Sequence, residues 1–226
     1  MIQSPIIIGL SGKKGAGKNT LASSIALYYI KKINPAPVGD GSYMLCAFAD
    51  HLKLFCIQIL GLDYNQCYGS DEEKNTPTIY KWEDTPYGQP RRQDFSVEYC
   101  KTGFMTGREV MQIFGTECVR AWFGNVWAKA TIRQIHTENP KVAIITDVRF
   151  PNEIDEILAQ PNSAIIRLTR SIAKISGEDD SHSSEKLLDN YDWTRKNCYV
   201  LHNEHMSLDE QRKEIISIVN VIFNKN

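Results

Sequence analysis

Short apolar runs of strand length alternate along this chain with stretches of helical period, the pattern of a parallel sheet wrapped by crossover helices. Ile6-Ile7-Ile8, Met44-Leu45-Cys46, Val142-Ala143-Ile144-Ile145 and Ala164-Ile165-Ile166 are apolar throughout, as strands buried on both faces require. The pattern predicts strands at 5–10, 43–48, 142–146, 163–168 and 198–201. Leu21, Ile25, Tyr28 and Tyr29 mark one face of a first helix from Lys18 to about Lys32, which Asn34-Pro35-Ala36-Pro37 ends. A second helix is predicted near 50–60. A last one spans about Ser207 to Phe223, with Leu208, Ile215, Val219 and Ile222 along one side and Ser207 as its cap.

Residues 61–105 interrupt this rhythm, because Pro77, Pro86, Pro90 and several glycines punctuate a polar stretch carrying Tyr80, Trp82 and Tyr87. A structureless connection of that length is uncommon inside a compact domain unless it has a function. It reads as an excursion over a substrate cleft; a surface insertion is the alternative. A chain of 226 residues buries roughly 70% of the surface its unfolded form exposes. The expected organisation is therefore one domain over 1–226, with 61–105 inserted and 170–190 a lid-like segment.

The first strand feeds Gly12-x-x-x-x-Gly17-Lys18, the opening positions of the phosphate-loop pattern, and a helix follows. Backbone N–H groups of Gly12, Lys14, Gly15, Ala16, Gly17, Lys18, Asn19 and Thr20, with the positive helix end, would converge on phosphate, and Lys18 would reach the β and γ groups. Asn19 stands where a hydroxyl usually binds Mg²⁺. Thr20 comes one residue later, and Gly-Lys-x-Thr resembles the variant of the nucleoside monophosphate kinases, in which the residue after Lys contributes chiefly its backbone N–H and the following Thr supplies a hydroxyl near the α-phosphate.

Charge narrows the partners. Lys plus Arg (26) nearly balances Asp plus Glu (27), which argues against the basic surface that nucleic acid requires. The six cysteines are scattered singly, without zinc spacing, and no apolar run near the amino end has the length of a signal peptide or a span. A cytoplasmic protein with small-molecule partners, no nucleic acid and no membrane is expected, with a homodimer as the open assembly state.

Lys141-Val-Ala-Ile-Ile-Thr-Asp147 is a buried strand ending in a carboxylate, and parallel sheets bind ligands outside such ends. Asp147 is the candidate for Mg²⁺ through water, with Thr20 as the second metal-side residue. Arg149 would stand beside it; an ion pair at the surface is the alternative. Taken as helix at 100° per residue, 106–120 brings Arg108, Gln112 and Thr116 into a sector of roughly 80°, opposite Val110, Met111, Phe114 and Cys118. Arg108 could then hold a substrate phosphate and Gln112 a base edge, unless this is an ordinary solvated face. Arg167 and Arg170 close the fourth strand, where they could neutralise a transferring phosphoryl group.

Gly12 to Thr20, Phe48-Ala-Asp-His-Leu-Lys53, Gly107-Arg108 with Gln112, Gly115-Thr116, Arg120, Trp127, Asp147-Val-Arg149-Phe-Pro-Asn-Glu153, Arg167 with Arg170, and His182-Ser-Ser-Glu185 together resemble the bacteriophage-type deoxynucleoside monophosphate kinases. The resemblance covers roughly 6–220 and leaves 61–105 largely unaligned. It implies an α/β fold of the P-loop, nucleoside-monophosphate-kinase-like type, a five-stranded parallel sheet flanked by helices. It also implies ATP and Mg²⁺ as co-substrates and transfer of the γ-phosphoryl group to a deoxynucleoside 5′-monophosphate in the host cytoplasm. Lys18, Asp147, Arg149 and Arg170 would be catalytic, and Lys53, Arg108, Gln112, Thr116, Arg120 and Arg167 would hold the acceptor. A kinase of another phosphorylated acceptor, of dephospho-coenzyme A or phosphomevalonate type, and a nucleotide-switched binding protein are the rival readings.

Overall fold

The computed structural model describes residues 4–33, 42–86, 101–170 and 187–224. Most of the expected lid-like segment, with Tyr87, Pro90 and the His182-Ser-Ser-Glu185 motif, lies outside the described residues. The chain divides into two compact units, Met1–Phe48 with Trp127–Asn226, and Ala49–Val126. The described strands are β1 Ile6–Ser11, β2 Tyr43–Cys46, β3 Pro77–Lys81, β4 Phe104–Thr106, β5 Val142–Val148, β6 Ser163–Leu168 and β7 Cys198–Leu201. The described α-helices are α1 Lys18–Tyr28, α2 Ala49–Gln58, α3 Tyr64–Tyr68, α4 Asp71–Lys74, α5 Gly107–Gln112, α6 Ala121–Phe123, α7 Val126–Glu138, α8 Pro151–Leu158 and α9 Leu208–Asn224.

The larger unit is built on a five-stranded sheet in the order β2-β5-β1-β6-β7, parallel throughout. The central strands carry apolar residues at nearly every position because both faces are covered. On one face Ile8, Leu10, Ile144, Ile166 and Leu168 pack with Leu21 and Ile25 of α1 and Ile215, Val219 and Ile222 of α9. On the other, Ile7, Ala143, Ile145 and Ile165 pack with Ala128, Ile132 and Ile135 of α7 and Ile154 and Ile157 of α8. Gly9 allows this close approach: a Cβ there would lie 2.6 Å from Ile165 Cδ1 and 2.7 Å from Ile157 Cδ1.

The crossover from β1 leads to β2 at one edge of the sheet, whereas β6 leads to β7 at the other. Connections of neighbouring strands therefore diverge at β1 and β6, and the carboxyl ends beside that divergence are where open parallel sheets bind ligands. Strand placement follows the apolar pattern closely; β5 runs two residues past its expected end, to Val148, and β2 stops at Cys46. The first helix leaves α geometry at Tyr28 and continues as a π-helical turn over Tyr29–Ile33, short of the single helix expected.

Residues 61–105 fall within the smaller unit, and those described carry secondary structure of their own. Within 61–105, α3 and α4 are each closed by a capping box, and β3 pairs antiparallel with β4. The compact unit takes in the flanking helices as well, so its limits are wider than the expected insertion. Its core holds Cys56, Leu62, Cys67, Trp82, Met105 and Val110. Trp82 is thus a core residue, and Tyr80 donates its hydroxyl to the Leu60 carbonyl at 2.8 Å. Among the described residues no helix is long and apolar enough to cross a membrane.

Candidate functional site

β1 ends in Ser11, and the chain then turns through 12–17 before α1 begins at Lys18. Gly15 (φ 75°) and Gly17 (φ 95°) take left-handed conformations that side chains disfavour, and the Ala16 N–H closes a turn onto the Lys13 carbonyl at 3.1 Å. Gly12 has a different reason: a Cβ there would meet Ala16 Cβ at 3.0 Å and the Leu168 carbonyl oxygen at 3.1 Å. The Lys18 ammonium folds back to donate to the carbonyls of Gly12 (2.5 Å) and Lys13 (2.9 Å). Cationic charge is therefore held across the mouth of a loop whose N–H groups and helix end favour anions. Lys14, Asn19 and Thr20 are exposed at its rim.

Asp147 lies at the carboxyl end of β5, as expected, and is half-buried. Between Gly9 and Ser11 β1 advances two residues while β5 advances from Ile145 to Val148, so the pairing shifts around Asp147. Such irregularities re-aim side chains and recur beside functional sites. Asp147 Oδ1 accepts the Phe48 N–H at 2.7 Å, which fixes the carboxylate beyond the end of β2. Arg149 is exposed one residue past β5, and its N–H, with that of Phe150, donates to the buried Glu153 carboxylate (2.8 and 3.1 Å).

Arg167 of β6 and Arg170, two residues past that strand, have different surroundings. Arg167 donates to Ser11 Oγ (3.1 Å) and to Asp189 Oδ1 (3.1 Å), and its guanidinium lies 5.5 Å from the centre of the Trp193 ring. Asp189 also pairs with Lys13 Nζ at 3.2 Å, so one carboxylate joins the phosphate loop to β6. Arg170 is half-buried, and its Nε is buried with no hydrogen-bond partner among the described residues. Its backbone N–H donates to Asn203 Oδ1 at 2.9 Å.

In the smaller unit, Thr106 caps α5 through a capping box with Glu109, and the helix continues as a π segment over Ile113–Arg120. The 100° spacing therefore holds from Arg108 to Gln112 and fails at Thr116. Cys118, expected on the buried side, is exposed. Glycine positions follow from contact: a Cβ at Gly107 would meet Gln66 Cβ at 2.8 Å, and one at Gly115 would meet Leu52 Cδ2 at 2.4 Å. Arg108 Nη2 pairs with Asp71 Oδ1 (2.5 Å), and Nε donates to Asn75 Oδ1 (3.1 Å). Lys53 Nζ lies 3.8 Å from Asp50 Oδ1 and 4.4 Å from the Tyr68 ring centre. Burial, with the charge and hydrogen bonding of Asp50, pushes the Tyr68 phenol up to about 12. Gln112, Thr116 and Arg120 are half-buried along the same segment.

Lys18, Thr20, Asp147, Arg149, Arg167 and Arg170 thus belong to the larger unit, and Lys53, Arg108, Gln112, Thr116 and Arg120 to the smaller. Sequence reasoning missed Asp71, Asn75, Asp189 and Asn203. Only Asn203 carried a readable signal, two residues past an apolar strand's carboxyl end.

The chain is 29% identical over 230 residues, 95% of its length and 96% of the relative's, to a protein of Acanthamoeba polyphaga mimivirus named "Putative deoxynucleotide monophosphate kinase". It is 34% identical over 88 residues, about a third of each chain, to the deoxynucleoside-5′-monophosphate kinase of Escherichia phage T5. The resemblance to deoxynucleoside monophosphate kinases is borne out. In the mimivirus protein it runs nearly end to end. No family model matches the chain. Among solved structures, TT1252 of Thermus thermophilus (11% identity, TM-score 0.49, 97% of this chain and 98% of that one) and a sugar kinase of Janibacter (11%, TM-score 0.42, 97% and 95%) are similar in outline. The α/β assignment rests on the sheet itself.

Proposed function

We propose that this protein is an ATP-dependent deoxynucleoside monophosphate kinase that transfers the γ-phosphoryl group of ATP to a dNMP, giving dNDP and ADP. The end-to-end likeness to the mimivirus protein carries this reading, and the phosphate loop with its folded-back lysine supplies the chemistry it needs.

In this reading the ATP phosphates lie on Gly12, Lys14, Gly15, Ala16, Gly17, Lys18, Asn19 and Thr20, with Lys18 turning from its two carbonyls to the β and γ groups. The acceptor is already an anionic phosphate oxygen, so no strong general base is required. Catalysis is alignment plus charge neutralisation, supplied by Lys18, Arg149 and Arg170. A fixed, half-buried carboxylate and an exposed hydroxyl are oxygen ligands of the kind Mg²⁺ takes, one or two from the protein with several waters kept beside phosphate. Asp147 and Thr20 would hold it, and when bound it would shield the negative charge between phosphate oxygens. Lys53 and Arg108 would meet the acceptor's phosphate, Gln112 its base, and Thr116 and Arg120 its remaining polar groups. Arg167, tied to Ser11, Asp189 and Trp193, contributes charge from a fixed place. The substrates are small molecules in the host cytoplasm, and neither nucleic acid nor membrane enters the reaction.

A coupled ADP-release assay across dAMP, dGMP, dCMP, dTMP and the four ribonucleotides tests this. Turnover with at least one dNMP is the expected result. ATP binding without transfer to any nucleotide overturns it in favour of a nucleotide-switched binding protein.

A further inference from the structure

Asn203 follows β7 and is completely buried, as is Gln211 of α9, which is 1% exposed. A buried primary amide needs all its donors and acceptors matched, and the partners of this one are unusual in their origin. Asn203 Nδ2 donates to the carbonyl of Ala16, inside the phosphate loop, at 3.0 Å. The same nitrogen donates to Gln211 Oε1 at 3.2 Å, and Gln211 Nε2 donates in turn to the Met206 carbonyl at 2.9 Å. On its other side, Asn203 Oδ1 accepts the backbone N–H of Arg170 at 2.9 Å. The amide has only one workable orientation, because exchanging oxygen and nitrogen would set an acceptor against two acceptors and a donor against the Arg170 N–H.

We propose that Asn203 is a positioning residue for phosphoryl transfer: its amide locks the phosphate loop at Ala16 to the strand end that bears Arg170. The inference rests on the nucleotide-binding reading above and adds a residue that none of the motifs contains. Ala16 lies between Gly15 and Gly17, whose left-handed conformations shape the turn, and its own N–H is tied to the Lys13 carbonyl at 3.1 Å. Arg170 starts beyond β6 and keeps a buried Nε without a partner among the described residues, so only its backbone is anchored there by Asn203. One side chain thereby sets the distance between the cradle and the arginine that would neutralise the phosphoryl group. Misplacement by about 1 Å can cost on the order of a hundredfold in rate.

The test compares ATP binding, by calorimetry with Mg²⁺ present, and steady-state kinetics for wild type, Asn203→Ala, Asn203→Asp and Ile135→Val. The last truncates a fully buried side chain of α7 in the core on the opposite face of the sheet from α1 and α9, and serves as the measure of a purely structural loss. Asn203→Ala is expected to weaken ATP binding about tenfold and to lower kcat at least as much, with the KM for dNMP within twofold of wild type, on the scale of lost positioning. Asn203→Asp sets an ionised carboxylate against the carbonyls of Ala16 and Gln211. A protonated carboxyl can again donate to Ala16, so its ATP affinity relative to wild type should recover as the pH falls from 8 to 6. Should Asn203→Ala fail to fold, this pH profile carries the test alone. ATP affinity within twofold of wild type in folded Asn203→Ala, or a flat pH ratio for Asn203→Asp, overturns the proposal. Wild-type protein that binds no ATP removes the nucleotide reading itself, a result distinct from either of these.

Discussion

Replacing Arg108 with alanine should weaken acceptor binding while leaving ATP untouched, and the size of the effect follows from what Arg108 already touches. Its guanidinium is shared between Asp71 Oδ1 at 2.5 Å and Asn75 Oδ1 at 3.1 Å, and its side chain is 35% exposed. A half-exposed pair of this kind contributes only about 0.2–1 kcal/mol. A charged hydrogen bond to phosphate is worth about 1.5–3 kcal/mol, part of which goes to loosening the Asp71 contact. The net loss is then about 1–2.5 kcal/mol, or roughly a 5- to 60-fold rise in the KM for dNMP at about 1.4 kcal/mol per decade. The ADP-release assay at saturating ATP, with dNMP titrated, reads it directly; kcat should change by less than about threefold. If both parameters stay within twofold of wild type in a folded variant, Arg108 does not bind the acceptor, and its role is to brace α5 against α4.

Lys18→Ala should abolish turnover with every acceptor and weaken ATP binding by at least tenfold, on the order of a lost charged contact to phosphate; ATP calorimetry and the same coupled assay check it. Gly9→Ala should destabilise the larger unit by about 1–3 kcal/mol through overpacking against Ile157 and Ile165, seen as a lowered midpoint in thermal denaturation. Burial alone would raise the Glu109 carboxyl, but hydrogen bonds from Thr106 and Lys101 outweigh it and hold it below its ordinary value. A depressed acid adds stability above its unfolded pKa and loses it as the pH falls through its lower folded value. Glu109→Gln removes the charge that these bonds favour, so unfolding free energies from urea titration should fall below wild type by about 1 kcal/mol at neutral pH and approach it as the pH drops through the lowered value of the wild-type carboxyl.

The sheet was legible because burial on both faces writes strands as unbroken apolar runs: Val142 to Ile145 and Ala164 to Ile166 admit little else. The phosphate loop was legible because its glycines answer to local backbone geometry. What escaped notice depended on contacts distant in sequence. Nothing near Asp189 says that it will bridge Lys13 and Arg167, and nothing near Asp71 announces Arg108. The turn from α to π winding at Ile113 was also hidden, since side-chain periodicity assumes one pitch and cannot report where it changes. Trp82 misled for a simpler reason: an aromatic in a polar stretch can serve a small core as readily as a ligand.

The two units differ greatly in what holds them. β1, β5 and β6 carry a broad double layer of side chains sealed from water, whereas the described residues of the smaller unit close over six buried side chains. Partial openings should therefore begin in the smaller unit while the sheet stays shut. A monophosphate that settles there would slow amide exchange across that unit and leave the central strands unchanged, so occupancy of the acceptor side could be followed without any chemistry taking place.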